Sequence, residues 1–244
     1  MSPSPETTTR VIISGGGTGG HIFPAIAIAN ALRAIDPAIQ LLFVGAEGKM
    51  EMEKVPAAGY TIKGLPIAGI KREFSLDNLS FPLKLLRSLS KAGDIIKEFN
   101  PQAAVGVGGY ASGPLLYMAS RRGIPALVQE QNSFPGITNK MLARKAKKIC
   151  VAYEGMDRFF PAEKIVFTGN PVREDIKQID GKRAEAAAFF GVDPGKRTLL
   201  VVGGSQGARS INKAMRDGLN EIAAAGIQLI WQTGKPFHPE AKQA

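Results

Sequence analysis

His21 is one of two histidines in the chain, and it directly follows a turn holding five glycines, Gly15, Gly16, Gly17, Gly19 and Gly20. An imidazole at the start of a helix is biased toward its neutral form, the state a general base needs; the same residue can also simply cap the turn. Glu130 stands in Val128-Gln-Glu-Gln-Asn132, just past an apolar run. Open α/β sheets place their ligands beyond the carboxyl ends of strands, and Gln131 and Asn132 add amide groups suited to sugar hydroxyls. The plain alternative is a loop held by its own hydrogen bonds. Arg173, in Asn170-Pro-Val-Arg173, offers a planar guanidinium to a diphosphate or a base edge. Ser205 and Gln206 lie in a further glycine turn, Gly203–Gly207, whose N–H groups suit phosphate oxygens.

Other chemistries find less support. Gly15-x-Gly17-x-x-Gly20 has the form of a dinucleotide fingerprint, but the acidic residue that should hold a ribose is offered only by Glu47, later than that site wants. No Gly-Lys-Ser/Thr follows the turn, so it is not a P-loop. There is no Asp-x-Asp pair and no Cys/His cluster, so neither a metal nor a cofactor is expected. Cys150, the single cysteine, lies in the apolar run Ile149-Cys-Val151 and reads as a core thiol rather than a nucleophile.

These side chains need elements to aim them. Val11–Ser14 reads as a buried strand, and apolar residues from Ile22 to Ile35 recur at helical spacing, with Pro24 in the first turn. Strand, glycine turn and helix together point backbone N–H groups and a positive helix end at an anion. Further strands are expected at 40–44, 60–67, 103–107, 126–129, 148–151 and 164–168. Helices are expected at 47–58, 79–99, 115–121 and 138–145. A second glycine turn, Gly108–Pro114, follows the strand at 103–107. The alternation implies a parallel sheet covered on both faces. Residues 169–193 change character and read as a crossing between domains, with a helical piece at 184–190. The opening pattern then returns as a strand from Thr198, the turn at Gly203, a helix over 208–225 and a strand at 228–232. The expected division is 1–169 and 170–244. The second part holds too few strand–helix units for a complete doubly wound sheet, so the chain is expected to be a fragment.

The chain has 244 residues, 44% of them hydrophobic and 21% charged, which fits a soluble globular protein. Its net charge of +10 calls for a negatively charged partner. Glycine and proline break both long uncharged stretches, Val11–Leu32 and Phe99–Ser120, so no membrane span is expected. The polar N-terminus has no signal-peptide core, and the chain reads as cytoplasmic. Ile70–Leu89 and the cluster Lys140, Arg144, Lys145, Lys147 and Lys148 mix apolar residues with cations. Either they suit an anionic lipid surface, or the apolar residues are core and the cations a solvated face.

Five motifs occur in one order: Gly16–Pro24 (GGTGGHIFP), Gly106–Pro114 (GVGGYASGP), Glu130–Asn132 (EQN), Gly169–Arg173 (GNPVR) and Gly203–Arg209 (GGSQGAR). Together they closely resemble glycosyltransferase family 28, the MurG-type N-acetylglucosamine transferases of peptidoglycan synthesis. The resemblance covers about residues 10–235. It implies a GT-B fold: a complete N-terminal Rossmann-like domain, here followed by the first part of a second. It implies inverting transfer of N-acetylglucosamine from UDP-GlcNAc to the muramoyl 4-hydroxyl of lipid I, giving lipid II, by a peripheral enzyme on the cytoplasmic face of the inner membrane. The implied partners are UDP-GlcNAc, lipid I and the anionic membrane surface, with no nucleic acid. Matching donor contacts are Thr18, Gly19, Gly20, Asn132, Arg173 and Ser205. Tyr110 and Gln206, in the other glycine turns, join the substrate-binding set. His21 matches the candidate base or acceptor-site histidine and Glu130 another acceptor-site residue; either could be the base that takes the acceptor proton, with His21 preferred. Gln129 stands where other members can carry histidine. The alternatives are a different GT-B glycosyltransferase, a non-catalytic nucleotide-sugar or membrane-binding fragment and, more distantly, a Rossmann dehydrogenase.

Overall fold

The structure, a computed structural model, describes residues 8–67, 69, 81–173, 179–204 and 207–244. It divides into two compact units, Met1–Lys177 and Gln178–Ala244, against an expected crossing that opens at residue 169.

The first unit alternates strands and helices: β1 (Arg10–Gly15), α1 (Gly19–Ile35), β2 (Gln40–Ala46), α2 (Glu51–Ala57), β3 (Thr61–Leu65), α3 (Phe81–Phe99), β4 (Ala103–Gly108), α4 (Ser112–Arg121), β5 (Ala126–Glu130), α5 (Ile137–Ala143), β6 (Lys148–Val151) and β7 (Ile165–Phe167). The seven strands pair in parallel in the order β3-β2-β1-β4-β5-β6-β7. The order reverses between β1 and β4, and that reversal opens a crevice at the carboxyl ends of these two strands.

Strand periodicity explains why both faces are covered. Successive residues point to opposite sides. Ile12, Leu42, Val44, Ala104, Ala126 and Val128 therefore enter one core, with Ile95 and Ile96 of α3, Leu115 and Leu116 of α4 and Leu142 of α5. Val11, Ile13, Phe43, Val105 and Val107 enter the other, with Ile22, Ala25, Ile26 and Ala29 of α1 and Val55 of α2. Burying a side chain such as Phe43, Ile12 or Leu115 stabilises the fold by about 1.5–3 kcal/mol.

Helix starts differ from the sequence reading, most of all in α2, which begins at Glu51 rather than residue 47. α4 begins at Ser112 rather than residue 115, because Gly113 and Pro114 fall in its first turn, where N–H groups have no intrahelical partner and proline loses nothing. α1 begins at Gly19, which moves Pro24 into the second turn and leaves the Gly20 carbonyl without its usual N–H partner. The β1–β4 register also shifts at its end: Ser14 pairs with Gly106, but Gly15 pairs with Gly108. Val107 is the extra residue of a bulge.

The second unit contains α6 (Arg183–Phe190), β8 (Thr198–Val202), α7 (Arg209–Asp217), α8 (Leu219–Ala224), β9 (Gln228–Gln232) and α9 (His238–Ala241). β8 and β9 pair in parallel. The expected single helix over 208–225 is split at Gly218, the weakest helix former in that stretch.

Candidate active site

The first glycine turn is built from both sides of the β1–β4 crevice. Gly16 N–H donates to the Gly108 carbonyl at 3.3 Å. The buried Ser112 hydroxyl lies 3.0 Å from the Ser14 carbonyl and 2.8 Å from that of Gly108, sharing one proton between the two strand ends. At the start of α1, the Thr18 carbonyl accepts from the N–H groups of His21 and Ile22, each at 3.1 Å. The N–H groups of Thr18, Gly19 and Gly20 meet no acceptor among the described residues. They form a local concentration of positive potential at the end of the helix dipole.

His21 sits over this turn, partly buried. Its Nδ1 lies 3.0 Å from the Gly16 carbonyl and 3.3 Å from Thr18 Oγ1. A carbonyl can only accept, so in the neutral ring Nδ1 carries the proton and Nε2 keeps its lone pair. Nε2 lies beside Gly108: a Cβ built there would be 2.8 Å from it, and the residue has φ +111°. Only glycine leaves room for the ring.

The other expected site residues fall in several environments. Tyr110 is exposed in the β4–α4 turn, its ring lying against Gly69. Arg173 places its guanidinium 4.7 Å from the centre of the Phe23 ring, two residues beyond His21 on α1. Asn132 is exposed, and both its backbone N–H and its Nδ2 donate to Glu130 Oε1, at 3.0 and 3.1 Å. Ser205 and Gln206 lie outside the described residues.

Glu130 is 1% exposed and carries a full set of donors. Beyond Asn132, its Oε2 accepts from Gly136 N–H at 3.2 Å and from Asn139 Nδ2 at 2.9 Å. Gln131 is also buried, and its Nε2 donates to the Val107 carbonyl at 2.8 Å and to Gln129. This amide cluster braces the loop after β5 against β4.

One carboxylate of the site was missed from sequence. Glu47 turns away from the glycine loop, pairing with Lys91 on α3 at 2.7 Å. Glu51, 1% exposed at the start of α2, takes the inner position. Its Oε2 accepts from Gly17 N–H at 2.8 Å and its Oε1 from Ala46 N–H at 3.0 Å. The available signal was its spacing of four from Val55, which puts both on the buried face of α2.

Cys150 is half-buried, and burial raises its thiol pKa above the usual value against an opposing hydrogen bond to Thr168. In the second unit, a cavity of about 370 Å³ is lined by Arg209, Lys213 and Arg216 of α7 with Gly207 and Phe237. Asn212, which also lines it, is fixed at both ends, donating to the Thr233 carbonyl at 2.7 Å and accepting from Trp231 Nε1 at 3.1 Å.

α3, α4 and α5 share one face of the sheet. Ile137 (78% exposed) and Met141 (74%) on α5 and Leu83 and Leu86 on α3 face solvent. Among their cations, Lys140 lies over the rings of Phe134 and Phe159, at 4.1 and 4.6 Å. Residues 70–80 of the expected apolar–cationic segment lie outside the described residues. Among those described, no helix is long and apolar enough to cross a membrane.

Residues 11–151 match the glycosyltransferase family 28 N-terminal domain, and residues 198–244 match the C-terminal domain of the same family. The chain belongs to glycosyltransferase family 28. Among curated relatives, a UDP-N-acetylglucosamine–N-acetylmuramyl-(pentapeptide) pyrophosphoryl-undecaprenol N-acetylglucosamine transferase of Phocaeicola vulgatus is 59% identical over 98% of this chain and 64% of its own length. The protein of that name from Parabacteroides distasonis is 58% identical over 96% of this chain and 64% of its own length. The chain thus spans less than two thirds of these relatives. Among solved structures, Acinetobacter baumannii MurG aligns with a TM-score of 0.66 at 29% identity, over 87% of this chain and 57% of its own. UDP-N-acetylglucosamine 2-epimerase from Rickettsia bellii aligns with a TM-score of 0.60 at 16% identity, over 98% of this chain and 65% of its own, a likeness of fold alone.

Proposed function

We propose that this chain carries the acceptor side and part of the donor side of an inverting N-acetylglucosaminyltransferase, which moves the sugar from UDP-GlcNAc to the muramoyl 4-hydroxyl of lipid I. The relatives' names support the reaction. The observation that carries the mechanism is the 3.0 Å contact between His21 Nδ1 and the Gly16 carbonyl, which leaves Nε2 as a base at the crevice. In a single displacement the acceptor oxygen attacks the anomeric carbon as Nε2 takes its proton, and the bond to UDP breaks with its electrons passing to the diphosphate. The unpaired amides of Thr18, Gly19 and Gly20, with the guanidinium of Arg173, would meet diphosphate charge without reorganising. Ser205 and Gln206 belong to the donor contacts, and Tyr110 and the outward face of Asn132 to the sugar contacts.

Of the two candidate bases, His21 is the better placed. Glu130 already accepts four hydrogen bonds and has no lone pair to spare for a hydroxyl proton. In this reading it holds the loop that presents Asn132.

The test is transfer of labelled N-acetylglucosamine to a soluble lipid I analogue, with this chain and with the chain extended by the C-terminal third of a relative. Transfer by the extended protein is expected, falling about 10²–10⁴-fold in His21→Ala at saturating substrates. Near-normal turnover in that variant would remove His21 from the mechanism. The exposed α3 and α5 side chains with their cations favour one further reading: this face rests on an anionic membrane at the cytoplasmic side, where the lipid substrate would be met.

A further inference from the structure

The peptide unit between Gly16 and Gly17 is held from both sides. Its carbonyl accepts from His21 Nδ1, and its N–H donates to Glu51 Oε2. We infer that Glu51 is a positioning residue for His21, acting through this one peptide group: the buried carboxylate polarises the amide, the amide carbonyl becomes a stronger acceptor, and the Nδ1–H form of the imidazole is held with Nε2 open. The arrangement does the work of a carboxylate bonded directly to histidine, with a peptide inserted between them. It rests on the reading of His21 as the base.

Three features carry it. The two contacts, 2.8 and 3.0 Å, are both of hydrogen-bond length, and hydrogen bonds in series strengthen one another. Gly16 is required sterically, since a Cβ there would lie 2.1 Å from Glu51 Oε1; the carboxylate fills the space a side chain would take. Glu51 is fixed by its second oxygen on Ala46 N–H at the end of β2, so it cannot swing toward solvent without breaking the β2 turn. The other ionisable groups on the surrounding elements do not compete for this peptide. Glu53 and Lys54 of α2 are exposed and paired with each other, Glu47 is paired with Lys91, Glu130 is filled by its own loop, Arg173 lies over Phe23, and Tyr110 lies over Gly69.

The chain has only two histidines, so nitrogen NMR of ¹⁵N-histidine-labelled protein reads the tautomer of each directly. His238, exposed in the second unit, is the internal reference and should show the Nε2–H form that imidazoles favour in water. His21, observed in its neutral form, is expected to be mainly Nδ1–H. In a folded Glu51→Gln protein its Nε2–H share should rise roughly threefold, as expected when one bond of a series loses its charge. A His21 that is mainly Nε2–H in the unaltered chain overturns the inference. So does an unchanged tautomer ratio in folded Glu51→Gln. Should that variant fail to fold, exchange of the Gly17 amide in the unaltered chain decides. Protection well above that of Gly19 and Gly20 is expected, and equal rates overturn it. None of these readouts needs turnover, so they stay separate from the His21→Ala assay that tests the base itself.

Discussion

Glu130 and Glu51 are both buried carboxylates held by amide donors, with four hydrogen bonds at Glu130 and two at Glu51. Glu130→Gln would turn an NH₂ toward donors, because each carboxyl oxygen already accepts two hydrogen bonds. The variant is expected to lose about 1–3 kcal/mol, read as a lower urea midpoint at unchanged slope. Cys150 gives a pH-dependent prediction. Burial raises its pKa, so the thiol stays protonated to higher pH than a free cysteine and is the weaker nucleophile at neutral pH. Alkylation in the folded chain should lag well behind alkylation in urea, with the gap narrowing as pH rises through the folded value. The same shift makes the group's contribution to stability full at low pH and smaller once the unfolded thiol ionises. Sequence read Cys150 as a core thiol where the structure leaves it half-buried, and it did not separate Glu51 from Glu47. Both glutamates suit the end of β2, and which one turns inward depends on where α2 starts.

Element positions were the most legible feature, because strands buried on both faces read as continuous apolar runs and their glycine turns punctuate them. Helix starts were less so. Proline marks a first turn in α4 but a second turn in α1, and only the preceding loop geometry decides between these. The glycine turns carry the sharpest prediction at this scale. Gly108→Ala would put a methyl group against the His21 ring at a backbone angle that alanine avoids. It should destabilise the first unit by about 1–3 kcal/mol and displace the imidazole. A thermal midpoint unchanged within error would show that the ring is not packed on this turn.

For the molecule as a whole, the two units should differ in how firmly they are held. The seven-stranded sheet has a core on each side, whereas β8 and β9 are a two-stranded sheet among the described residues, with Leu200 and Val202 exposed. Two-stranded sheets are marginal in water. The amides of β8 and β9 are therefore expected to exchange with solvent much faster than those of β1 and β4. Equal protection would mean that the second unit is stabilised by something other than its own sheet. The exposed faces of α3 and α5 predict binding to vesicles of anionic lipid that weakens with salt, and Ile137→Glu with Met141→Glu should reduce it. Neither unit's surface chemistry was readable as such, since composition does not say which leucines a helix leaves outside.

The bulge at Val107 has a consequence for protein engineering. The displaced residue gives its carbonyl to Gln131, while Gly108 beside it receives Gly16 and Ser112. The turns after β1, β4 and β5 are therefore cross-stitched into one block. A loop transplanted singly from a relative would arrive without its stitches. Exchanges among family members should succeed when all three turns travel together and fail when any one travels alone.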